Sequence, residues 1–322
     1  MSDAVVPHHP EPTARPAPAP GLLRRAIESD LFYSFRRSKL TMVAAAVTLL
    51  FFLLAIFAPA LSVQNPFDPA QLQLINSRIP PLWEADGQSP YLLGTDEQGR
   101  DVLSAILYGM RVSLLVGVLG VLFSGTLGIV LGLIAGYVGG TVDSLIMRVA
   151  DVQLTFPAIL IALLVNGVAK SVFGNRLDAM SMLVVLVFAI GLSFWVQYAR
   201  TVRGSVMVEK NKDYVAAAQL MGLPAPVIML RHVLPNAMGP VLIIATINLA
   251  LAIITEATLS FLGVGLPDTM PSLGTLIRIG NNYLFSGEWW IVAFPGFALA
   301  ALILSINLLG DWLRDALNPK LR

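Results

Sequence analysis

An all-α integral membrane protein with about six transmembrane helices is the fold class this sequence predicts. Three observations carry that expectation. The 322 residues are 56% hydrophobic and only 13% charged, with a mean hydropathy of +0.74. Soluble domains run about 45–50% apolar and about 25% charged, and much of a soluble surface must face water. The apolar residues fall into runs of roughly 20, the length that crosses a hydrocarbon core of about 30 Å as a helix. Finally, Lys and Arg gather between alternate runs, as expected where one set of loops stays on the inner side.

Residues 1–25 read as a disordered inner-side leader, because Pro7, Pro10, Pro12, Pro16, Pro18 and Pro20 punctuate an Ala-rich tail. The tail has no basic start followed by an apolar stretch, so it does not read as a cleavable signal peptide. Residues 26–80 hold the first span, Leu40 to Leu61, and the start of a long polar loop. Arg24, Arg25, Arg36, Arg37 and Lys39 precede that span and place the N-terminus inside. The loop, Ser62 to about Tyr108, is rich in Pro, Asp and Gln and should be exported. Its second half, residues 81–110, includes an interfacial helix.

A transmembrane domain over residues 111–314 follows. Its spans are expected at about Val112–Tyr137, Val142–Val168, Met180–Val202, Pro240–Leu262 and Trp289–Trp312. Crossings counted from an inside N-terminus put Met207–Val233 inside, together with the tail 315–322. Arg200, Arg203, Lys210, Lys212 and Arg231 agree with that placement, and Trp289 and Trp290 fit an outer aromatic belt. The short turn Gly136-Tyr137-Val138-Gly139-Gly140 makes spans two and three neighbours. Gly128, Gly132 and Gly136 repeat the small-residue spacing that lets helix backbones approach, either within the chain or across a dimer face. Internal inverted repeats, expected in many secondary carriers, are not evident.

Some chemistry can be set aside. Cysteine is absent, which removes disulfides, thiolate metal sites and a cysteine nucleophile. The net charge of +1 gives no global case for nucleic acid. No combination of nucleophile, base and orienting group stands out, so no catalytic residue is predicted. No phosphate-cradling Gly-rich loop ending in Lys-Ser or Lys-Thr occurs, so any ATP is hydrolysed elsewhere. His8 and His9 lie in the leader. His232 has no second ligand at suitable spacing, so no metal site is predicted and no cofactor is called for.

The informative segment is the inside loop from Asp213 to Asn236. Asp213 is a candidate N-cap, and Tyr214–Met221 is Ala-rich and favours a helix. Gly222 stops that helix, Pro224 and Pro226 enforce a turn, and Val227–Val233 can form a second short helix that Leu234-Pro235 ends. Two short helices joined at Gly222 make a firm knob suited to a partner's groove.

This segment resembles the coupling loop of ABC transporter permeases, whose pattern is Glu-Ala-Ala, three residues, Gly, nine residues, Ile, one residue, Leu-Pro. Ala217, Ala218, Gly222, Leu234 and Pro235 match, whereas Ala216 stands where Glu is expected and His232 where Ile is expected. Further blocks are similar to the C-type dipeptide, oligopeptide and nickel permeases. They are Leu93–Ser104, Tyr108–Leu114, Arg231–Asn236, Glu256–Gly263 and Asn307–Asp315, in order, within a resemblance from about Ile27 to Leu321.

The resemblance implies a type I importer permease fold with cytoplasmic coupling helices, in a bacterial inner membrane with both termini cytoplasmic. It implies a subunit that moves dipeptides or oligopeptides, with nickel or another small solute as the alternative cargo. A stand-alone carrier or a membrane scaffold are readings from other classes. The implied partners are a homologous permease, two cytoplasmic ABC ATPase subunits, an extracytoplasmic solute-binding protein and membrane lipid, with no nucleic acid. The coupling residues it implies are Asp213, Tyr214, Ala217, Ala218, Gly222, Arg231, His232, Leu234 and Pro235.

Charged residues near or within the membrane complete the candidates. Asp96 and Arg100, with Asp101, sit just outside the second span and either touch binding protein or cargo, or cap an interfacial helix through local ion pairs. Asp143, Arg148 and Asp151 begin the third span. Arg148 and Asp151 are spaced to pair along one face, and a role at an inner gate is the alternative. Glu256 lies 21 residues beyond Pro235, or roughly 31 Å along a helix, near the outer interface. It either lines a cavity mouth and meets a peptide's ammonium group, or anchors the irregular Ser260–Gly265 turn.

Overall fold

The computed structural model describes residues 30–173, 178–267 and 269–317. The leader 1–25, with His8, His9, Arg24 and Arg25, and the tail cations Lys320 and Arg322 lie outside the described residues. Among those described, every regular element is helical. Helices α1 (Asp30–Arg37), α2 (Lys39–Ile56) and α3 (Ala58–Leu61) lead into a loop with two short 3-10 turns. After them come α4 (Val102–Val138), α5 (Gly140–Leu154), α6 (Ala158–Phe173) and α7 (Ala179–Glu209). The short helices α8 (Asp213–Leu220), α9 (Ala225–Val227) and α10 (Leu234–Ala237) precede α11 (Gly239–Phe261), α12 (Leu273–Asn281) and α13 (Trp290–Leu317). Five helices, α2, α4, α7, α11 and α13, are each long and apolar enough to cross a membrane, and the bent pair α5–α6 makes a sixth span if counted as one.

The expected third span, Val142–Val168, is therefore corrected. Its two halves meet at 93° across Thr155–Pro157. Pro157 has no N–H to continue the ladder and pushes Phe156 out of helical geometry. Phe156 N–H instead closes a tight turn on Gln153 O at 3.1 Å, and Pro157 opens α6, its carbonyl accepting from Leu160 N–H at 2.9 Å.

The second span is longer than expected. It starts at Val102 instead of Val112, so the expected boundary at residue 110 falls inside α4. Asp101 caps it: its carboxylate accepts from Ser104 N–H at 2.8 Å and from Ser104 Oγ at 2.6 Å. Burial pushes the Asp101 carboxyl above its ordinary pKa, and the Ser104 bonds act the other way. At the far end, Gly139 at φ +72° turns the chain from α4 into α5, a conformation that a side chain would strain.

The main seam joins α4 to α7. A Cβ at Gly128 would overlap Trp195 O and Tyr198 Cβ, and one at Gly132 would overlap Ala199 O. At Gly136 it would stand 2.9 Å from both Arg203 O and Val206 Cβ. The repeated small residues thus serve packing within the chain, one helix backbone lying against the next. Gly128→Ala is expected to destabilise the chain by about 2–3 kcal/mol. Gly204→Ala, where an added Cβ meets nothing within 4 Å, should be neutral or gain up to about 1 kcal/mol. Unfolding midpoints in detergent check this, and equal midpoints would remove the seam.

Ion pairs tie α5 to α7 as well. Asp143 accepts from Arg203 Nε at 2.5 Å and Nη2 at 2.6 Å, and Asp151 pairs with Arg200. The expected partner of Asp151, Arg148 on its own helix, is replaced by a residue of the neighbouring helix. Trp195 Nε1 donates to Gln153 Oε1 at 2.6 Å, and the same amide donates to Leu192 O.

Candidate functional site

Helices α8 to α10 form one projection at the end of the bundle where α4 turns into α5. The chain leaves α7 at Glu209, and Lys212, not Asp213, occupies the N-cap of α8. Asp213 is one residue further in, at the positive end of the helix, where its charge is favoured. Val215 and Ala218, three apart, are both fully buried, whereas Ala216, Ala217 and Gln219 face out. The Ala217-Ala218 pair therefore divides between the two faces of α8.

Gly222 ends α8 in the way its residue type allows. At φ +75° its N–H bonds Gln219 O at 2.9 Å, and Leu223 N–H reaches back to Ala218 O at 3.2 Å. That paired closure is the Schellman turn, which wants a residue without Cβ at the left-handed position. Leu223 then tucks against the buried cluster below. Beyond Pro224, the expected second helix runs on where a stop at Leu234-Pro235 was expected. Ile228–Val233 is wound as a π-helical turn, and Leu234 N–H bonds Met229 O, five residues back. The wider turn gives the Pro235 ring room that an α-helix would deny it, so α10 continues toward α11.

The projection is rooted, not hinged. Val215, Ala218, Ile228, Val233 and Ala237 share one apolar cluster with Leu133 of α4, Tyr198, Val202 and Val206 of α7, and Val241 of α11. A polar network fixes its base. Tyr214 Oη donates to Glu209 Oε2 at 2.6 Å, Lys212 Nζ to Glu209 Oε1 at 2.6 Å, and Asn236 Nδ2 to His232 O at 2.8 Å. Burial, followed by the Glu209 bond, raises the Tyr214 pKa, and the same glutamate raises that of Lys212. Lys210 Nζ donates to Gly136 O at 2.7 Å and so caps the last turn of α4. His232 is half-buried, its Nδ1 held in the packing without a hydrogen-bond partner, and Arg231 is exposed. Leu234 lies in the cluster's flank, and Pro235 is exposed.

At the tip, Leu220 is 90% exposed, Met221 72% and Leu230 59%. Large apolar side chains are thus held out from a rigid base. Residue-type reasoning had passed over all three, although Leu220 and Met221 directly precede the helix-stopping glycine.

The other candidates cluster at the opposite end of the bundle. Arg100 and Asp96 are buried, contrary to an exposed ion pair. Arg100 Nε meets Asp96 Oδ2 at 2.5 Å, and the N–H groups of Gln98 and Arg100 donate to Asp96 Oδ1 at 2.9 and 3.0 Å. Their neighbour Thr95 accepts from Trp290 Nε1 through its carbonyl at 3.1 Å, tying this turn to the start of α13. The arrangement is that of a capped, pinned loop. Glu256 is fully buried, and its carboxyl accepts from Ser113 Oγ and Ser260 Oγ, each at 2.7 Å. Ser113 Oγ also accepts from Leu273 N–H at 3.3 Å, so the group joins α4, α11 and the start of α12. In this conformation Glu256, Asp96 and Arg100 are all enclosed by the chain itself.

The chain is also similar to known proteins. Residues 128–322 match the model of the family described as "Binding-protein-dependent transport system inner membrane component", and residues 29–81 match the "N-terminal TM domain of oligopeptide transport permease C". The chain is 38% identical over 293 residues to the dipeptide transport system permease protein DppC of Escherichia coli K12, covering 91% of this chain and 93% of that one. It is 35% identical over 294 residues to the oligopeptide transport system permease protein OppC of Bacillus subtilis, covering 91% and 90%. Among solved structures, an inward-facing MetNI methionine ABC transporter aligns with a TM-score of 0.50 at 17% identity, over 66% of this chain and 96% of that one. That likeness concerns the fold.

Proposed function

Because the chain belongs to the family of binding-protein-dependent transport system inner membrane components, we propose that it is the membrane subunit through which an ABC importer moves dipeptides and oligopeptides. The cargo is the one named for its relatives. The observation that carries the reading is the rooted projection with an apolar tip, because a passive pore needs no such contact.

In this reading the tip of α8 and the π-helical turn sit in a groove of one ATP-hydrolysing subunit beneath this chain, while a second such subunit lies beneath a homologous partner permease. Arg200, Arg203, Lys210, Lys212 and Arg231 lie toward the same end, which supports a cytoplasmic projection and cytoplasmic termini. Closure of the ATPase pair on ATP displaces the tip. The cluster shared with α4, α7 and α11 passes the displacement on as a switch between two packings of the spans. Asp213, Tyr214, Ala217, Ala218, Gly222, Arg231, His232, Leu234 and Pro235 shape and seat this lever. A solute-binding protein delivers cargo at the other end, where Asp96, Arg100 and Glu256 hold the loop and helix framework around the entrance. A strain lacking only this chain should lose uptake of a labelled dipeptide and regain it with the chain restored. Undiminished uptake in the deletion strain, or a purified complex without an ATPase, would overturn the reading.

A further inference from the structure

We propose that a groove between α2 and α4 is a phospholipid site, with Arg111 holding the lipid phosphate and the groove below it holding acyl chain. The groove encloses about 350 Å³ and is lined by Phe52, Ala55 and Ile56 of α2 and by Leu114, Leu115 and Val118 of α4. Its remaining wall is the exposed Arg111, which has no acidic partner in any ion pair among the described residues.

Depth decides what that cation needs. Ala55 and Ile56 stand 16 and 17 residues beyond Lys39, the first residue of α2, or about 25 Å along the helix. A hydrocarbon core is about 30 Å thick, so a guanidinium at that level lies just inside the boundary opposite Lys39. An unpaired charge there is costly, and a long side chain relieves the cost by reaching toward the headgroups for an anion.

The surroundings match a lipid better than another helix. Below Arg111 on the same face of α4, Leu115, Leu119 and Leu122 are 44%, 36% and 59% exposed, and Ile56 on α2 is 63% exposed. One cation above an apolar furrow complements a molecule with one phosphate above an apolar tail. A neighbouring helix would fill the furrow with side chains and still owe the guanidinium a counter-charge.

The whole transporter assembly, delipidated in detergent and titrated with phosphatidylglycerol, tests this by native mass spectrometry. Arg111→Gln should weaken retention of one lipid about fivefold, the effect of one basic group near a headgroup. Arg111→Lys should keep it, Leu115→Trp should block the furrow and lose it, and glycerol phosphate alone should not compete. Equal retention by the wild type and Arg111→Gln would overturn the proposal. So would efficient crosslinking, under an added thiol oxidant, of an Ile56→Cys variant to a cysteine introduced on a partner subunit's membrane helix, a clear test because the chain has no cysteine of its own.

Discussion

Changing Leu220 and Met221 together to Asp is expected to cut dipeptide uptake about a hundredfold while leaving the amount of folded chain in the membrane unchanged. Both side chains project into solvent, so their replacement removes little packing from this chain. In the assembled transporter the same positions would place two carboxylates in a dry groove of the ATPase. An uncompensated buried charge costs about 3–5 kcal/mol, and 3 kcal/mol already lowers occupancy of the docked state by about a hundredfold. Retention of the ATPase on the purified permease should fall in parallel with uptake. The contrast comes from the inner face of the same helix. Ala218→Asp puts a carboxylate into the cluster of Tyr198, Val202 and Val233, and should deplete the folded chain itself. If the Leu220/Met221 variant kept both uptake and ATPase, the exposed tip would have no docking role.

What could be read in advance follows from which interactions are local. The spans near 40–61, 180–202, 240–262 and 289–312 needed only an apolar run of bilayer length, and each run holds a helix. Gly222 was legible for the same reason, since its left-handed turn is a property of one residue and its two neighbours. The break at Pro157 was missed because apolar residues continue on both sides of it, and hydropathy alone cannot see the missing N–H. The early start of α4 was hidden by the charged motif around Asp96–Asp101, although Asp101 followed by Val102-Leu103-Ser104 is a helix start on capping grounds.

Tertiary pairing was the harder part. Asp143 and Arg203 are 60 residues apart in the chain, and Asp151 and Arg200 are 49 apart, so only the packing of α5 on α7 brings them together. Local spacing had offered Arg148 instead. The same holds for the projection. Its short helices were readable, but the π-helical turn that accommodates Pro235 and the root shared with α4, α7 and α11 arise from contacts between distant segments.

Glu256→Ala is expected to be the most destabilising single change in the membrane region, at about 3–5 kcal/mol. It leaves Ser113 Oγ and Ser260 Oγ without their acceptor, each orphaned hydroxyl costing about 1–3 kcal/mol, and it opens a cavity in a fully buried site. Because Ser113 also holds the first N–H of α12, that helix should loosen from α4 as well. Glu256→Gln is the informative partner. Its amide oxygen can still accept from one serine, and its NH₂ can donate to the other once that hydroxyl rotates, so the cost should be only about 1 kcal/mol. Two roles for Glu256 then separate cleanly. An anchor predicts that Gln retains most uptake and most of the unfolding midpoint, while Ala loses both. A charge that meets the cargo's ammonium group predicts that Gln folds like the wild type yet transports as poorly as Ala. The buried hydroxyl cage favours the first outcome, with uptake by Glu256→Gln lowered only as far as its folded fraction falls. Normal folding with transport abolished would place the carboxyl on the cargo's route in another conformation of the cycle.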